Sequence, residues 1–365
     1  MNERMQARRI FFAPLDWGLG HVTRILPLIR RFLQQGDQVY VATRGRALEL
    51  LKRETPACAF LDFPQYPIRY PRSKYFVTRF MFITYPQMLL AMWKEKQALH
   101  KLHQLHHFDI IFSDNRFCVN LPGVRCYLIS HQLRYKLPWL ISQFEMIPEY
   151  FNYLFFNKYD RIIVPDYANE QQLTGELSHR MRFLSESRLL YAGILCDLPP
   201  STETSPGKID YLILVSGPEP QRSIFERIIF TQVNLLPGRV VVALGTPEKK
   251  YRIRKGNAIF YSYLNREQIA EYMRQADFII CRSGYTTIME MVELKKKGVF
   301  IPTPGQIEQE YLARYYLKRG WCFYMPQNKF NLHTAVKEGK KYPGFPVELN
   351  TTAANVDHLF NNIFQ

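Results

Sequence analysis

Two α/β domains in tandem, each built on a doubly wound parallel sheet, are what the sequence predicts, and three observations carry that prediction. The opening forty-odd residues run apolar strand, glycine-bearing loop, amphipathic helix and strand, which is a βαβ unit. Short apolar runs ending in polar residues then recur on both sides of a Pro/Ser/Thr-rich stretch at 197–208. The chain has 365 residues, more than the roughly 100–200 that one core commonly supports.

The first strand is RIFFAP at 9–14, followed by a turn at 16–20. Val22, Ile25, Leu26, Ile29 and Leu33 are spaced for one face of a helix, Gly36 closes that helix, and QVYVAT at 38–43 is the next strand. DIIFSD (109–114), RCYLIS (125–130) and RIIVPD (161–166) read as further buried central strands of the first sheet. The second series comprises YLILVSG (211–217), a helix from about 223 to 233, RVVVALG (239–245), AIFYSYL (258–264), FIICRSG (278–284) and VFIPTP (299–304). The expected division is therefore a first domain at 1–196, a linker at 197–208, a second domain at 209–350 and a terminal helix within 351–365.

A composition of 47% hydrophobic and 15% aromatic residues excludes a chain that stays disordered for want of a core. The net charge of +16 favours an anionic partner: a phosphate ester, a nucleic acid or an acidic membrane face. Cys58, Cys118, Cys126, Cys196, Cys281 and Cys322 are scattered without a CxxC pair, so free buried thiols in a reducing compartment are expected rather than a zinc site or disulfides. The apolar run at 10–14 is too short for a signal peptide. The longest apolar stretch, at 80–93, contains a proline and falls short of the roughly 20 residues of a membrane span. A cytoplasmic protein is the expectation.

Two motifs carry chemistry. In CRSGYTTIMEM (281–291) an apolar strand runs through Ser-Gly straight into a helix. Gly284 leaves room for a ligand, and Ser283, Thr286, Thr287 and the helix amides offer donors to a diphosphate at the positive end of the dipole. Glu290, one turn on, is placed to accept two ribose hydroxyls or to stand as a solvated helix glutamate. In DWGLGHVTR (16–24), Gly18 and Gly20 clear space above the strand edge. His21 at the helix start is disfavoured as a cation and so suits a general base, or else it only caps the helix. Arg24 projects to the same face, toward a phosphate or an acceptor carboxylate. Asp114 ends a central strand and either orients His21 or caps the next helix. The third glycine and the acidic strand end of a dinucleotide fingerprint are missing, which argues against NAD.

The stretch 275–320 resembles the carboxy-terminal signature of family 28 glycosyltransferases, whose bacterial lipid II synthases transfer GlcNAc from UDP-GlcNAc. The residues that carry it are Ala276, Asp277, Arg282, Ser283, Gly284, Thr287 and Glu290, then Pro304, Glu308, Gln309, Ala313 and Gly320, with Leu312 standing where the family usually has asparagine. The resemblance implies a GT-B fold, two Rossmann-like domains facing across a cleft, with a UDP-sugar on the second and the acceptor on the first, no cofactor and no metal. It implies that Glu290 holds the uridine ribose, that Glu308 and Gln309 read the donor sugar, that Ser216, Gly217, Gly245 and Thr246 face the nucleotide, and that the backbone of Leu264 pairs with uracil. It also implies that the terminal helix around 356–364 crosses back onto the first domain. The 16–24 loop is similar to the glycine-rich loop that opens nucleotide-sugar enzymes of this architecture. By that similarity His21 is the base and Asp114 its partner, while His131 and Gln132 fall where the family carries a His-Glu-Gln run near the acceptor. The implied reaction is inverting transfer to a lipid-linked or glycan acceptor. The same loop also resembles that of a UDP-sugar hydrolase, in which the histidine activates water, so a hydrolase or epimerase is the alternative.

Arg69, Arg72, Lys74, Arg79 and Lys94 interleave with Tyr66, Tyr70, Tyr75, Phe76, Phe80 and Phe82, and the stretch 133–144 repeats the combination. A peripheral contact with an anionic membrane, centred between Arg69 and Phe82, is the expected use. Single-stranded nucleic acid also suits such a surface, but no nucleic-acid module accompanies it and none is expected as partner. His100, His103, His106 and His107 lie at helical spacing without flanking carboxylates, which favours a solvated face over a metal site.

Overall fold

The structure, a computed structural model, describes residues 7–16, 19–65, 77–137, 139–201, 207–248 and 250–364, without the side chains of residues 19, 77–86 and 139–140. Gly18 and the Arg69, Arg72 and Lys74 cluster therefore lie outside the described residues, as do the side chains of Arg79, Phe80 and Phe82. The chain forms two compact units, one of Met1–Asp197 with Asn350–Gln365 and one of Leu198–Leu349.

The first unit runs β1 (Arg9–Pro14), α1 (Leu19–Gln34), β2 (Gln38–Ala42), α2 (Gly45–Glu54), β3 (Ala59–Leu61), α3 (Val77–His106), β4 (Ile110–Asp114), β5 (Arg125–Ile129), α4 (Met146–Phe156), β6 (Arg161–Val164) and β7 (Leu189–Tyr191). Its parallel sheet has the order β3-β2-β1-β4-β5-β6-β7. Successive side chains alternate between faces. Ile10, Phe12, Ile110 and Phe112 pack with Val22, Ile25, Leu26 and Ile29 of α1 on one side. Phe11, Ala13 and Ile111 pack with Leu99 of α3 and Phe156 of α4 on the other. The strand order reverses between β1 and β4, so a crevice opens at their carboxyl ends, where α/β sheets bind ligands.

The second unit runs β8 (Ile209–Leu214), α5 (Gln221–Gln232), β9 (Val240–Ala243), β10 (Arg252–Lys255), β11 (Ala258–Tyr261), α6 (Arg266–Gln275), β12 (Ala276–Cys281), α7 (Tyr285–Glu293), β13 (Lys297–Phe300), α8 (Ile307–Lys318), β14 (Phe323–Tyr324) and α9 (Leu332–Gly339). The sheet order is β10-β11-β9-β8-β12-β13-β14, parallel except for β10. Its switch point lies between β8 and β12. Asn265 starts α6 with a capping box, accepting from the Gln268 amide at 2.8 Å while Gln268 Oε1 accepts from its own at 3.0 Å.

The terminal helix α10 (Thr352–Asn362) belongs to the first unit. Val356, Leu359, Phe360 and Phe364 enter the α1 side of its core, with Phe360 4.5 Å from Phe32 between ring centroids. The described part of the 197–208 stretch is held in place: Arg274 donates to the Pro199 carbonyl and Ser201 to Glu271. Strands β3, β7, β10 and β14 were not predicted; all but β10 are two or three residues long, too short to show alternation.

Candidate active site

In the first unit, β1 delivers the chain into α1 and β4 ends at Asp114, so the switch point brings His21 and Asp114 together. His21 Nδ1 lies 3.0 Å from Asp114 Oδ1. Asp114 is 1% exposed; burial alone would raise its carboxyl, but Arg24 and His21 beside it prevail and hold it below the ordinary carboxylate range. Arg24 departs from the sequence expectation. Its guanidinium, 3% exposed, forks onto Asp114 through Nε and Nη2 and reaches His131 Nδ1 from Nη1 at 2.9 Å, so it serves the dyad rather than offering a charge to an acceptor. Gly20 sits in the first turn of α1, where its carbonyl accepts from Thr23. Gln132 is half-buried, its backbone tied to the Ser130 hydroxyl.

Two residues that the sequence reading missed frame this site. Arg116, on the loop after β4, is 1% exposed and paired with Glu95 of α3, which is wholly buried. Arg116 Nε also donates to the Pro14 carbonyl at 3.0 Å, and its Nη2 lies 3.7 Å from Asp16, so it anchors the chain entering the glycine loop. The signal was a lone glutamate in an apolar helix and an arginine two residues beyond the strand-ending aspartate. The histidines at the end of α3 face no such site. His103 Nδ1 accepts from the Phe108 amide, His106 lies against Tyr40, and among the described residues no three metal-ligating side chains converge.

In the second unit the cradle is assembled differently from the expectation. Arg282 is 3% exposed and turned inward: it donates to the carbonyls of Ser216, Gln221, Ile301 and Pro302 and to Gln327 Oε1, and lies 4.3 Å from the Phe225 ring centroid. Burial brings its guanidinium down to about 10. It is the clamp that ties the loops after β8, β12 and β13 together. Ser283 is fully buried and donates to the Gln309 carbonyl, while Gln309 Oε1 accepts from the Thr303 amide and its Nε2 donates to Gln306. These groups, expected to meet the donor, are instead bonded to one another and to the loop before α8. Thr246 is likewise engaged, its amide and hydroxyl both donating to the Ser262 carbonyl.

What faces outward is Gly284, the cap of α7, where an added Cβ would meet open space, followed by half-buried Thr286 and Thr287 in the first helical turn. Glu290 follows on the next turn, partly exposed but with no hydrogen-bond partner among the described residues. Burial pushes its carboxyl up to about 7 against the pull of Arg266. Gly217 has φ +113 and an added Cβ would stand 3.2 Å from Thr303 Oγ1, itself a buried hydroxyl without a partner. Gly245, at φ +66, lies so close to the Val215 carbonyl that a side chain would meet it at 2.9 Å. Leu264 is buried between β11 and α6, and Glu308 is half-buried in the first turn of α8.

With these features in view, the carboxy-terminal part of the chain is seen to carry a known domain: residues 224–359 match the glycosyltransferase family 28 C-terminal domain. Among curated relatives is the UDP-N-acetylglucosamine–N-acetylmuramyl-(pentapeptide) pyrophosphoryl-undecaprenol N-acetylglucosamine transferase of Pseudoalteromonas translucida, 29% identical over 121 residues, which span 31% of this chain and 32% of that protein. The match thus takes in about a third of that relative's length. The transferase of the same name from Lawsonia intracellularis is 22% identical over 326 residues, 84% of this chain and 81% of that one. Among solved structures, MurG of Acinetobacter baumannii shares the fold with a TM-score of 0.61 at 13% identity, covering 98% of this chain and 99% of that chain.

Proposed function

We propose that the protein transfers a sugar, GlcNAc by the likeness to its relatives, from a UDP-sugar to a hydroxyl of a lipid-linked or glycan acceptor, with inversion and without a metal ion. The observation that carries the reading is Glu290: a carboxylate without a hydrogen-bond partner among the described residues, one turn into the helix that follows the open Gly284 cap, inside the matched domain. It suits a nucleoside diol, which brings two hydroxyl donors to an acceptor-only group. The amides at the start of α7, with Thr286 and Thr287, take the diphosphate, and the helix dipole stabilises the charge that grows on it as it leaves.

His21 Nε2 removes the acceptor hydroxyl's proton as the oxygen attacks the anomeric carbon. The bond from that carbon to the diphosphate oxygen breaks, and its electron pair leaves with UDP. The proton stays on His21, whose imidazolium is stabilised by ionised Asp114.

A peripheral site at an anionic membrane face, on the cytoplasmic side, completes the proposal. It is supported by the apolar side chains that the first unit leaves in solvent around α4: Ile141, Phe144, Ile147, Tyr150 and Leu154. The cations expected beside them are internally paired, Arg134 with Glu149 and Lys136 with Glu145 and Glu176, so this cluster offers apolar contact rather than charge. Among the described residues no helix is long and apolar enough to cross a membrane.

The test is UDP release from UDP-GlcNAc, with and without a lipid extract of the source organism, by wild type, His21→Ala and Glu290→Ala. Release that needs the extract and falls at least a hundredfold in both variants is the expected result. Equal release without the extract assigns water as acceptor and a hydrolase instead. Absence of both release and UDP binding removes the nucleotide-sugar reading.

A further inference from the structure

Every nitrogen of Arg24 is engaged. Nε donates to Asp114 Oδ2 at 3.1 Å and Nη2 to Asp114 Oδ1. Nη2 also lies 3.0 Å from His21 Nδ1, and Nη1 lies 2.9 Å from His131 Nδ1. A guanidinium donates and never accepts. The nitrogen of His131 that faces it therefore accepts, and the hydrogen of that neutral ring is on Nε2. His21 meets the same guanidinium in a different setting. The Nε/Nη2 edge of Arg24 forms a two-point fork on the carboxylate, and ionised Asp114 can only accept, so the hydrogen between Oδ1 and His21 Nδ1 must come from the histidine. Nδ1 of His21, 3.0 Å from Oδ1, keeps its own hydrogen and donates it, leaving a lone pair on Nε2.

We propose that Arg24 is a positioning residue that sets opposite tautomers on two histidines, Nδ1–H with a basic Nε2 on His21 and Nε2–H on His131. Only the first is then fit to take a proton from a substrate hydroxyl. Asp114 from β4 meets the ring of His21, and Arg24 from α1 meets both rings. Arg116, on the loop after β4, is held by Glu95 and lies near Asp16. The catalytic consequence rests on His21 being the base of the proposed transfer, whereas the tautomers do not.

The experiment is long-range proton–nitrogen NMR on the full chain with nitrogen-labelled histidine, with His21→Gln and His131→Gln used to assign the two rings. The expected spectrum shows His21 as Nδ1–H and His131 as Nε2–H. His131 as Nδ1–H, or His21 as Nε2–H, overturns the proposal without any variant of Arg24 having to fold. The kinetic arm follows UDP release from UDP-GlcNAc. Arg24→Met, which takes the donors away from Asp114 and His131, is expected to lower kcat more than tenfold with KM for UDP-GlcNAc unchanged. Arg24→Lys, which keeps the charge but loses the fork, is expected to lower kcat about tenfold with KM for UDP-GlcNAc unchanged. If both variants keep the wild-type kcat, the positioning role fails. If the tautomers are as stated but His21→Ala releases UDP at the wild-type rate, the proposed transfer mechanism fails and the assignment of Arg24 to the two rings stands.

Discussion

A carboxylate removed from water without hydrogen-bond donors weakens the fold that holds it, and Glu290 makes that penalty measurable. Its folded-state value of about 7 lies above the ordinary 4.5, so the folded state binds the proton more tightly. The stability this gives is complete below about pH 4.5 and is lost as pH rises through 7. Glu290→Gln removes the ionisable group, and at pH 8 the variant is expected to be more stable by about 1–3 kcal/mol, its partial exposure keeping the gain toward the lower end. Thermal unfolding at pH 5 and pH 8 checks this: a gain of a few degrees in Tm at pH 8 that vanishes at pH 5 is expected, together with weakened UDP binding. A lower Tm at pH 8 would mean that the carboxylate has a stabilising partner. Glu290, His21 and Asp114 were legible because local spacing along one strand, loop and helix puts them at sheet ends. The inward turn of Arg282 and Arg24 was not, because each answers to carbonyls or carboxylates distant in sequence that only the folded sheet brings within reach, and that of Gln309 was not because it depends on the fold of the loop before α8, where its side chain meets the Thr303 amide and Gln306.

Among the elements, β12 and β13 have the least tolerance. Gly298 pairs with Ile279 in their register, and an added Cβ would lie 2.4 Å from the Ile279 carbonyl and 2.8 Å from Met291 Cε. The first obstacle is backbone and cannot swing away. Gly298→Ala is therefore expected to destabilise the second unit by about 3 kcal/mol, at the upper end for overpacking, and to disturb α7 through Met291. Chemical denaturation reads the loss directly, and an unchanged midpoint would show that the strands separate freely. Buried strands such as β1, β4, β8 and β12 declared themselves as apolar runs. Their observed ends come earlier than the runs suggest where a polar residue is needed by a loop, as in the first sheet, where Asp166 accepts from the Leu173 and Thr174 amides and pairs with His179.

At the scale of the whole molecule, the first unit is discontinuous, since α10 returns to it after the second unit is complete. Besides its apolar face, α10 contributes Thr352, whose hydroxyl accepts from the Cys196 amide, and Asn355, which donates to the Ile194 carbonyl at 3.0 Å. Four apolar side chains buried there contribute about 1.5–3 kcal/mol each, a sum comparable with the whole stability of a domain. A chain ending at Leu349 is expected to lose the cooperative unfolding of its first unit while the second still melts. Retention of both transitions in calorimetry would refute this. A βαβ reading finds the two sheets in the sequence, but strand and helix periods cannot say which sheet a terminal helix will join.

That return path also orders events on the ribosome. The first unit is started before the second but completed after it: its sheet emerges early, while the phenylalanines that close the α1 side of its core are translated only once the whole second unit has been made. Throughout synthesis of the second unit, the nascent first one carries an open apolar seam. In this protein, amino-to-carboxyl synthesis thus reverses the usual sequence of maturation, and the later domain is the first that can reach its finished form.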